Sequence, residues 1–439
     1  MPDRPLLVHI PSLGKDLLFP VSFECHEELS APFRIQLHLV GALDTEIPFE
    51  KLLGCPLGVE LQHGGVTRFF HGVVEEFSEG ERDQRQVHYF ATVVPRLSLL
   101  RLRVRSRIFQ WQNVKDILET VLADLNPDLR QLGNYPARQY CVQYQESDFA
   151  FASRLMEEEG IYYFFEHEQN DHRLVLVDAK TSNRNLPEQA RVRFDRTASA
   201  GSHELVVSSW RKTQRVVCPK RVVRDYTFLK AEKPLEGARP IVDQVACGQA
   251  QHQLKAANTQ TLEACDFPEF AKYFDTIDLG GGENKTGDFS GIYQAKDDRA
   301  ELRAEEEASR ALHIAGSGNC PHFLPGYLFS LQGHPHADDS YLLTSVIHRG
   351  TDQARVTSEA AASFQYTCKF ECLPGSLQYR PARHTPSPCV RGLQTALVVT
   401  GGSEVSIDKH ARVKVKFHWD LSETSELNSS SRIRVGQFW

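Results

Sequence analysis

Apolar and polar residues alternate along much of the chain, and that alternation predicts strands. Phe33, Ile35, Leu37 and Leu39 alternate with Arg34, Gln36 and His38, the pattern of a half-buried strand. Gly58 to Gln62, Arg68 to Phe77 and Val87 to Pro95 predict further strands, the first two parted by Gly64-Gly65. Arg101, Arg103, Arg105 and Arg107 alternate with Leu102, Val104 and Ile108, which predicts a strand with four guanidinium groups on one face. Later strands are predicted at Tyr327 to Gln332, Tyr341 to His348, Phe364 to Cys372, Thr395 to Thr400 and Arg412 to Trp419.

Helical spacing interrupts this pattern. Val114, Ile117, Leu118, Val121, Leu122 and Leu125 recur every three to four residues after Asn113, and Asn126-Pro127 stops them. Residues 240–262 are expected to be helical despite Gly248, and Asp297 to Ile314 predicts a polar, Ala-rich helix. The stretch Gly280 to Gly291 reads as a glycine-rich loop.

The most informative segment runs from Ser147 to Val177. Ser147 is a good N-cap, and Asp148 puts a negative charge where the helix dipole is positive. Phe149, Phe151, Ala152, Leu155 and Met156 make the apolar stripe, and Gly160 supplies the stop. Ile161 to Phe165 and Leu174 to Val177 predict a hairpin. Glu157, Glu158 and Glu159 break the local rule, because they crowd the helix end where the dipole is already negative. Arg154 precedes Glu158 by four residues, the weaker order for a helical ion pair. A solvated acidic helix end is the simpler local reading; a carboxylate cluster matched to distant basic groups is the sharper one.

Composition changes the picture little. At 439 residues about three domains are expected. Hydrophobic and charged shares of 41% and 24% are those of a globular chain, and a net charge of −7 gives no electrostatic reason for nucleic-acid or anionic-membrane binding. Two Met against 25 Phe point to aromatic cores. The ten cysteines form no C-x-x-C pair, which favours reduced, buried thiols. The first twenty residues lack the charged-then-apolar order of a secretory signal, and no apolar run reaches the roughly 20 residues of a membrane span.

The sequence offers no catalytic, cofactor-binding or metal-ligating set. His334, His336, Asp338 and Asp339 approach a two-metal motif, but Ser340 stands where its last His belongs, so a polar loop is expected. Cys368 and Cys372 lie on one face of a predicted strand and read as core thiols. The basic residues Arg412, Lys414, Lys416 and His418 lie opposite Val413, Val415, Phe417 and Trp419, so no aromatic on the basic face could stack on a base.

The stretch from Val142 to His167 resembles the signature of the VgrG family, the spike proteins of the type VI secretion system. Phe70-His-Gly-Val-Val, Ile108-Phe-Gln with Val114-Lys-Asp-Ile, Arg224-Asp-Tyr-Thr-Phe and Gly333-His-Pro-His-Ala-Asp are similar to further family blocks in the same order. So are Tyr379-Arg-Pro, Gln394-Thr-Ala-Leu-Val-Val and Arg412-Val-Lys-Val-Lys-Phe-His-Trp-Asp, although Ala411 stands where the family usually has Gly and Ser431 where Cys is frequent. The resemblance implies a mainly β fold with helical insertions. Residues 1–378 would form a phage-tail-hub-like pair of β-barrel subdomains, 379–389 a Pro-rich linker, and 390–439 the start of an OB-fold spike base. The strand pattern stops at Trp439, so the barrel is expected to be incomplete and the β-helical needle to lie outside this sequence.

As a member, the protein would be a non-enzymatic homotrimer that caps the hexameric Hcp tube and is ejected to puncture target cells and deliver effectors. Baseplate proteins would be partners, with a PAAR tip protein and effectors carried by the missing C-terminal part. It would assemble in the bacterial cytoplasm and leave through the secretion machine without a signal peptide, binding no nucleic acid and not inserting stably into membranes. The alternative is the N-terminal part of a spike whose extension is a toxin enzyme. In a trimeric hub Glu157, Glu158 and Glu159 become candidate assembly contacts, with Arg101, Arg103 and Arg105 as candidate basic counterparts.

Overall fold

The computed structural model describes residues 4–14, 17–187, 190–197, 204–226, 235–268, 290–352, 364–400, 407, 411–421 and 431–436. The Gly280–Gly291 loop lies almost wholly outside them, as does the end of the Arg224 block.

One thirteen-stranded ladder joins the N-terminal strands to those beyond residue 180. On one side are Leu6–His9, Pro56–His63, Val66–Arg82, Gln86–Val94, Ala31–Ala42 and Leu18–Glu28. On the other are Ser340–Asp352, Phe364–Pro374, Leu312–Gly318, Val206–Gln214, Arg191–Phe194, Tyr327–Gln332 and Arg184–Asn185. The seam is the antiparallel pairing of Leu18–Glu28 with Ser340–Asp352, from Ser22 opposite Thr351 to Glu28 opposite Ser345. Alternation sets the register elsewhere. Ile35, Leu37 and Leu39 face Val93, Ala91 and Tyr89 across the ladder and are all buried, whereas Arg34 and Gln36 are exposed.

Aromatic rings fill the core, as the scarcity of Met suggested. Phe323, Phe329, Phe370, Trp210 and Tyr341 pack in tilted and edge-on pairs, and Phe33 meets Phe165 edge-on at 5.0 Å. Cys25, Cys141, Cys247, Cys320, Cys368 and Cys372 are buried free thiols.

The helix Val114–Val121 forms as expected, its Asn113 cap accepting the main-chain N–H of Asp116 and its Val114, Ile117, Leu118 and Val121 buried. The central helix is Asp148–Glu159. The hairpin Tyr162–His167 and His172–Val177 follows it, and Asp128–Gln131 joins the hairpin in parallel.

Three expectations need correction. Residues 240–262 are not a helix: Gln244–Cys247 and Ala250–Gln253 make a tight hairpin, with Gly248 at φ 65° in its turn. The polar helix is Ser290–Ser309, and Leu312 to Ile314 already belong to the next strand. Arg101 and Arg103 are not on a strand. Arg101 sits in a 3-10 turn, Leu100–Leu102, Arg103 follows it directly, and the strand is Val104–Gln112.

Residues 379–389 run on without regular secondary structure. Beyond them Ala396–Val398, Arg412–Phe417 and Ser431–Arg434 form an antiparallel sheet, in which Arg412, one of the four residues of the basic face, is buried. None of the described helices is long and apolar enough to cross a membrane.

Candidate functional site

Charged side chains gather at both ends of the central helix. At its start Ser147 accepts the N–H of Ala150, and the side chain of Asp148 is fully buried. The Arg103 guanidinium donates to Asp148, Arg107 donates at 2.9 Å and the Gln143 amide at 2.8 Å; Arg105 lies at 4.0 Å. The arginine row therefore has an acidic partner inside the chain. Arg103 also reaches Asp124, and Arg101 stacks over Phe149 at 4.5 Å.

At the other end Gly160 takes φ 68°, the left-handed cap the sequence predicted. Glu158 meets Arg138 at 2.9 Å and Arg154 at 3.8 Å; Arg154 binds Glu146 more closely, at 2.7 Å. Glu159 is held by Arg138 and Arg299. Burial pushes the Glu159 carboxyl up, but Arg299 and Arg138 outweigh it and leave the group below its ordinary value. The terminal carbonyls are capped by cations as well: Arg299 and Arg303 donate to the Glu158 carbonyl, and Arg380 to that of Gly160 at 3.0 Å. Guanidinium groups from distant segments thus offset the unfavourable dipole.

Glu157 has different partners. Its carboxylate accepts the N–H of His384 at 3.0 Å, the N–H of Thr385 at 2.9 Å and the Thr385 hydroxyl at 2.7 Å. No described contact within the chain joins Arg101, Arg103 or Arg105 to Glu157, Glu158 or Glu159. The dipole conflict was the one signal of this cluster in the sequence; Arg138, Arg299, Arg380 and the 384–385 amides carried none.

A second buried node lies under the ladder. Glu27 accepts from Arg68 and faces His167 at 3.1 Å and His348 at 3.4 Å. Burial raises the Glu27 carboxyl, and Arg68 and the two histidines pull it well below the usual range. Next to it, Nδ1 of His71 and Nδ1 of His172 are 3.0 Å apart. His71, Asp171 and His172 are close enough to hold a metal ion. Protein groups already close this cluster. The Arg96 N–H donates to Nε2 of His172, which leaves the proton on Nδ1, pointing at His71, and the Arg96 guanidinium takes Asp171 at 2.6 Å. His334, His336 and Asp338 form the expected polar loop, with Asp338 accepting the N–H groups of Gly333 and His334.

These elements define a class before they define a family. Residues 26–354 match the family model of the phage tail baseplate hub (GPD). An Escherichia coli type VI secretion component, described as similar to the T4 bacteriophage tail proteins gp27 and gp5, has the same fold, with a TM-score of 0.65 at 19% identity over 98% of this chain and 93% of that one. The tail protein of Neisseria meningitidis MC58 superposes with a TM-score of 0.54 at 10% identity over 85% of this chain and 97% of that one. The fold is that of a contractile-tail hub.

Sequence similarity narrows the class further. The chain is 33% identical to the type VI secretion system spike protein VgrG1b of Pseudomonas aeruginosa over 99% of its own length and 55% of the relative, and 34% identical to VgrG1a of the same organism over 97% and 62%. It is 30% identical, over 93% of its length and 35% of the relative, to the actin cross-linking toxin VgrG1 of Vibrio cholerae. The protein belongs to the VgrG family of type VI secretion spike proteins. It spans a little over half the length of the Pseudomonas relatives.

Proposed function

We propose that these 439 residues are the hub and the beginning of the spike base of a type VI secretion spike, with a mechanical rather than a catalytic role. The carrying observation is the family match, which runs across the seam of the ladder and into the C-terminal sheet rather than stopping at one motif. In this reading residues 1–378 form the hub, 379–389 the linker and 390–439 part of an OB-fold barrel. Three copies form a ring that caps the Hcp tube, sits among baseplate proteins, and is assembled in the cytoplasm and expelled by the machine. A PAAR tip and effectors would ride further along the spike.

Of the six residues proposed as assembly contacts, Arg101 and Arg105 suit another subunit best. Both are exposed, and Leu102 and Val104 beside them are 84% and 62% exposed. Glu158, Glu159 and Arg103 already have partners within the chain. The similarity to the Vibrio toxin supports a second reading, a spike carrying an enzyme in another segment.

Light scattering tests the proposal. The protein should scatter with the mass of three copies, each including the 49.7 kDa of this chain. A stable monomer at micromolar concentration would contradict it.

A further inference from the structure

The linker between the hub and the C-terminal sheet is gripped at a defined place. Both oxygens of Glu157 are engaged by two successive linker residues: Oε2 by the N–H groups of His384 and Thr385, Oε1 by the Thr385 hydroxyl. The partners lie 227 and 228 positions from Glu157 in sequence. Upstream, Arg380 inserts between Glu305 at 2.8 Å and the Gly160 carbonyl, and Arg383 approaches Asp266 at 3.3 Å and Glu306 at 3.4 Å. A Pro-rich segment is stiff but carries no fixed direction unless something orients it. Here charge-assisted bonds from the end of the central helix do so.

A second attachment lies just before the same helix. Tyr144, on the strand Arg138–Ser147, has its hydroxyl 2.8 Å from the donating amide nitrogen of Gln394. The Gln394 carbonyl oxygen accepts the indole N–H of Trp419 at 3.0 Å, and the Trp419 and Tyr144 rings meet edge-on at 5.3 Å. Phe417 stacks on Trp419 from the C-terminal sheet. The two attachments are independent. One holds the chain on its way into the C-terminal sheet and the other holds Gln394 and Trp419, which flank two strands of that sheet, both on the unit formed by the strand Arg138–Ser147 and the central helix.

We infer that this strand–helix unit is the seat of the C-terminal segment, with Glu157 and Tyr144 as positioning residues that set its direction relative to the hub. The mechanical meaning rests on the spike reading: a contracting sheath pushes on the hub, and thrust reaches the spike base along a fixed axis only if the joint is stiff. Glu157 is suited to this task by its awkward position. A carboxylate at the negative end of a helix gains little from its own helix and is available to donors brought from elsewhere.

Hydrogen–deuterium exchange on the whole chain, read by mass spectrometry, tests the seat without any secretion machinery. In Glu157→Ala the amides of His384 and Thr385 should exchange at least tenfold faster, while amides in 151–156 keep their protection. In Glu157→Ala combined with Tyr144→Phe, trypsin should also cut after the exposed Arg391 several-fold faster. Tyr144→Phe keeps the ring, so a loss specific to the hydroxyl is separated from a loss of packing. Unchanged exchange at 384–385 together with unchanged cleavage in the double variant would overturn the inference. Because the experiment uses the isolated chain, its failure would leave the spike reading standing, and a monomeric mass would leave the seat standing.

Discussion

The two ends of the central helix solve opposite problems. At the start, Asp148 agrees with the dipole and is sealed by Arg103 and Arg107, which lie 45 and 41 positions upstream. At the finish, Glu157, Glu158 and Glu159 oppose the dipole and are held by groups as distant as Arg299, 140 positions away, and Thr385, 228 away. The first end closes a local unit of helix and neighbouring strands. The second combines a near partner, Arg138, 20 and 21 positions from Glu158 and Glu159, with far ones, so an unfavourable local feature also becomes a tie between remote segments. The same comparison separates stability from direction: the buried pairs hold the hub together, and Glu157 holds the linker.

Substitutions break the comparison in a fixed order. Asp148→Asn should cost most, about 3–5 kcal/mol in chemical denaturation, because it leaves the Arg103 and Arg107 guanidiniums facing a neutral partner in a buried site. Glu159→Gln should cost about 2 kcal/mol, since Arg138 and Arg299 each lose one charged acceptor. Glu157→Ala should cost least, about 1 kcal/mol, while freeing the linker, because this half-buried carboxylate leaves behind two amides and a hydroxyl rather than an unpaired guanidinium.

Acid titration sharpens the contrast from another side. Burial, with nearby cations, lowers His71 to about 4 and His172 to about 2 from an ordinary 6.5. The unfolded chain therefore binds protons at pH values where the folded chain does not, and stability should fall as pH drops below about 6.5, down to about 4 for the His71 share and on to about 2 for the His172 share. Glu159, with its folded value lowered, gives stability that is present above the ordinary carboxylate range and lost as pH falls through the lowered value. His71→Gln should make the decline between about 6.5 and about 4 shallower in a melting-temperature series, with the His172 and Glu159 shares left in place. A decline of unchanged shape would show that His71 does not contribute to it.

Local rules made much of this molecule legible. The alternation at Phe33 to Leu39 gave the right face to the core, and Asn113, Ser147 and Gly160 marked helix ends correctly because caps depend on near neighbours. Reading failed where tertiary pairing outweighed spacing. Residues 244–253 carry a period that a helix could use, yet they form a hairpin turning at Gly248. Arg101 to Arg107 alternate as a strand would, yet the chain enters that strand only at Val104, after a 3-10 turn. The acidic cluster was visible as a conflict, but its partners were not, because nothing in Arg299 or Thr385 announces which carboxylate the fold will bring to it.

The division of labour between the two helix ends is best tested by one exchange experiment comparing the parent chain, Asp148→Asn and Glu157→Ala. The account predicts that Asp148→Asn speeds exchange across 103–160, and that Glu157→Ala speeds it only at 380–385. Fast exchange spread through the helix in Glu157→Ala, or unchanged linker amides, would contradict it.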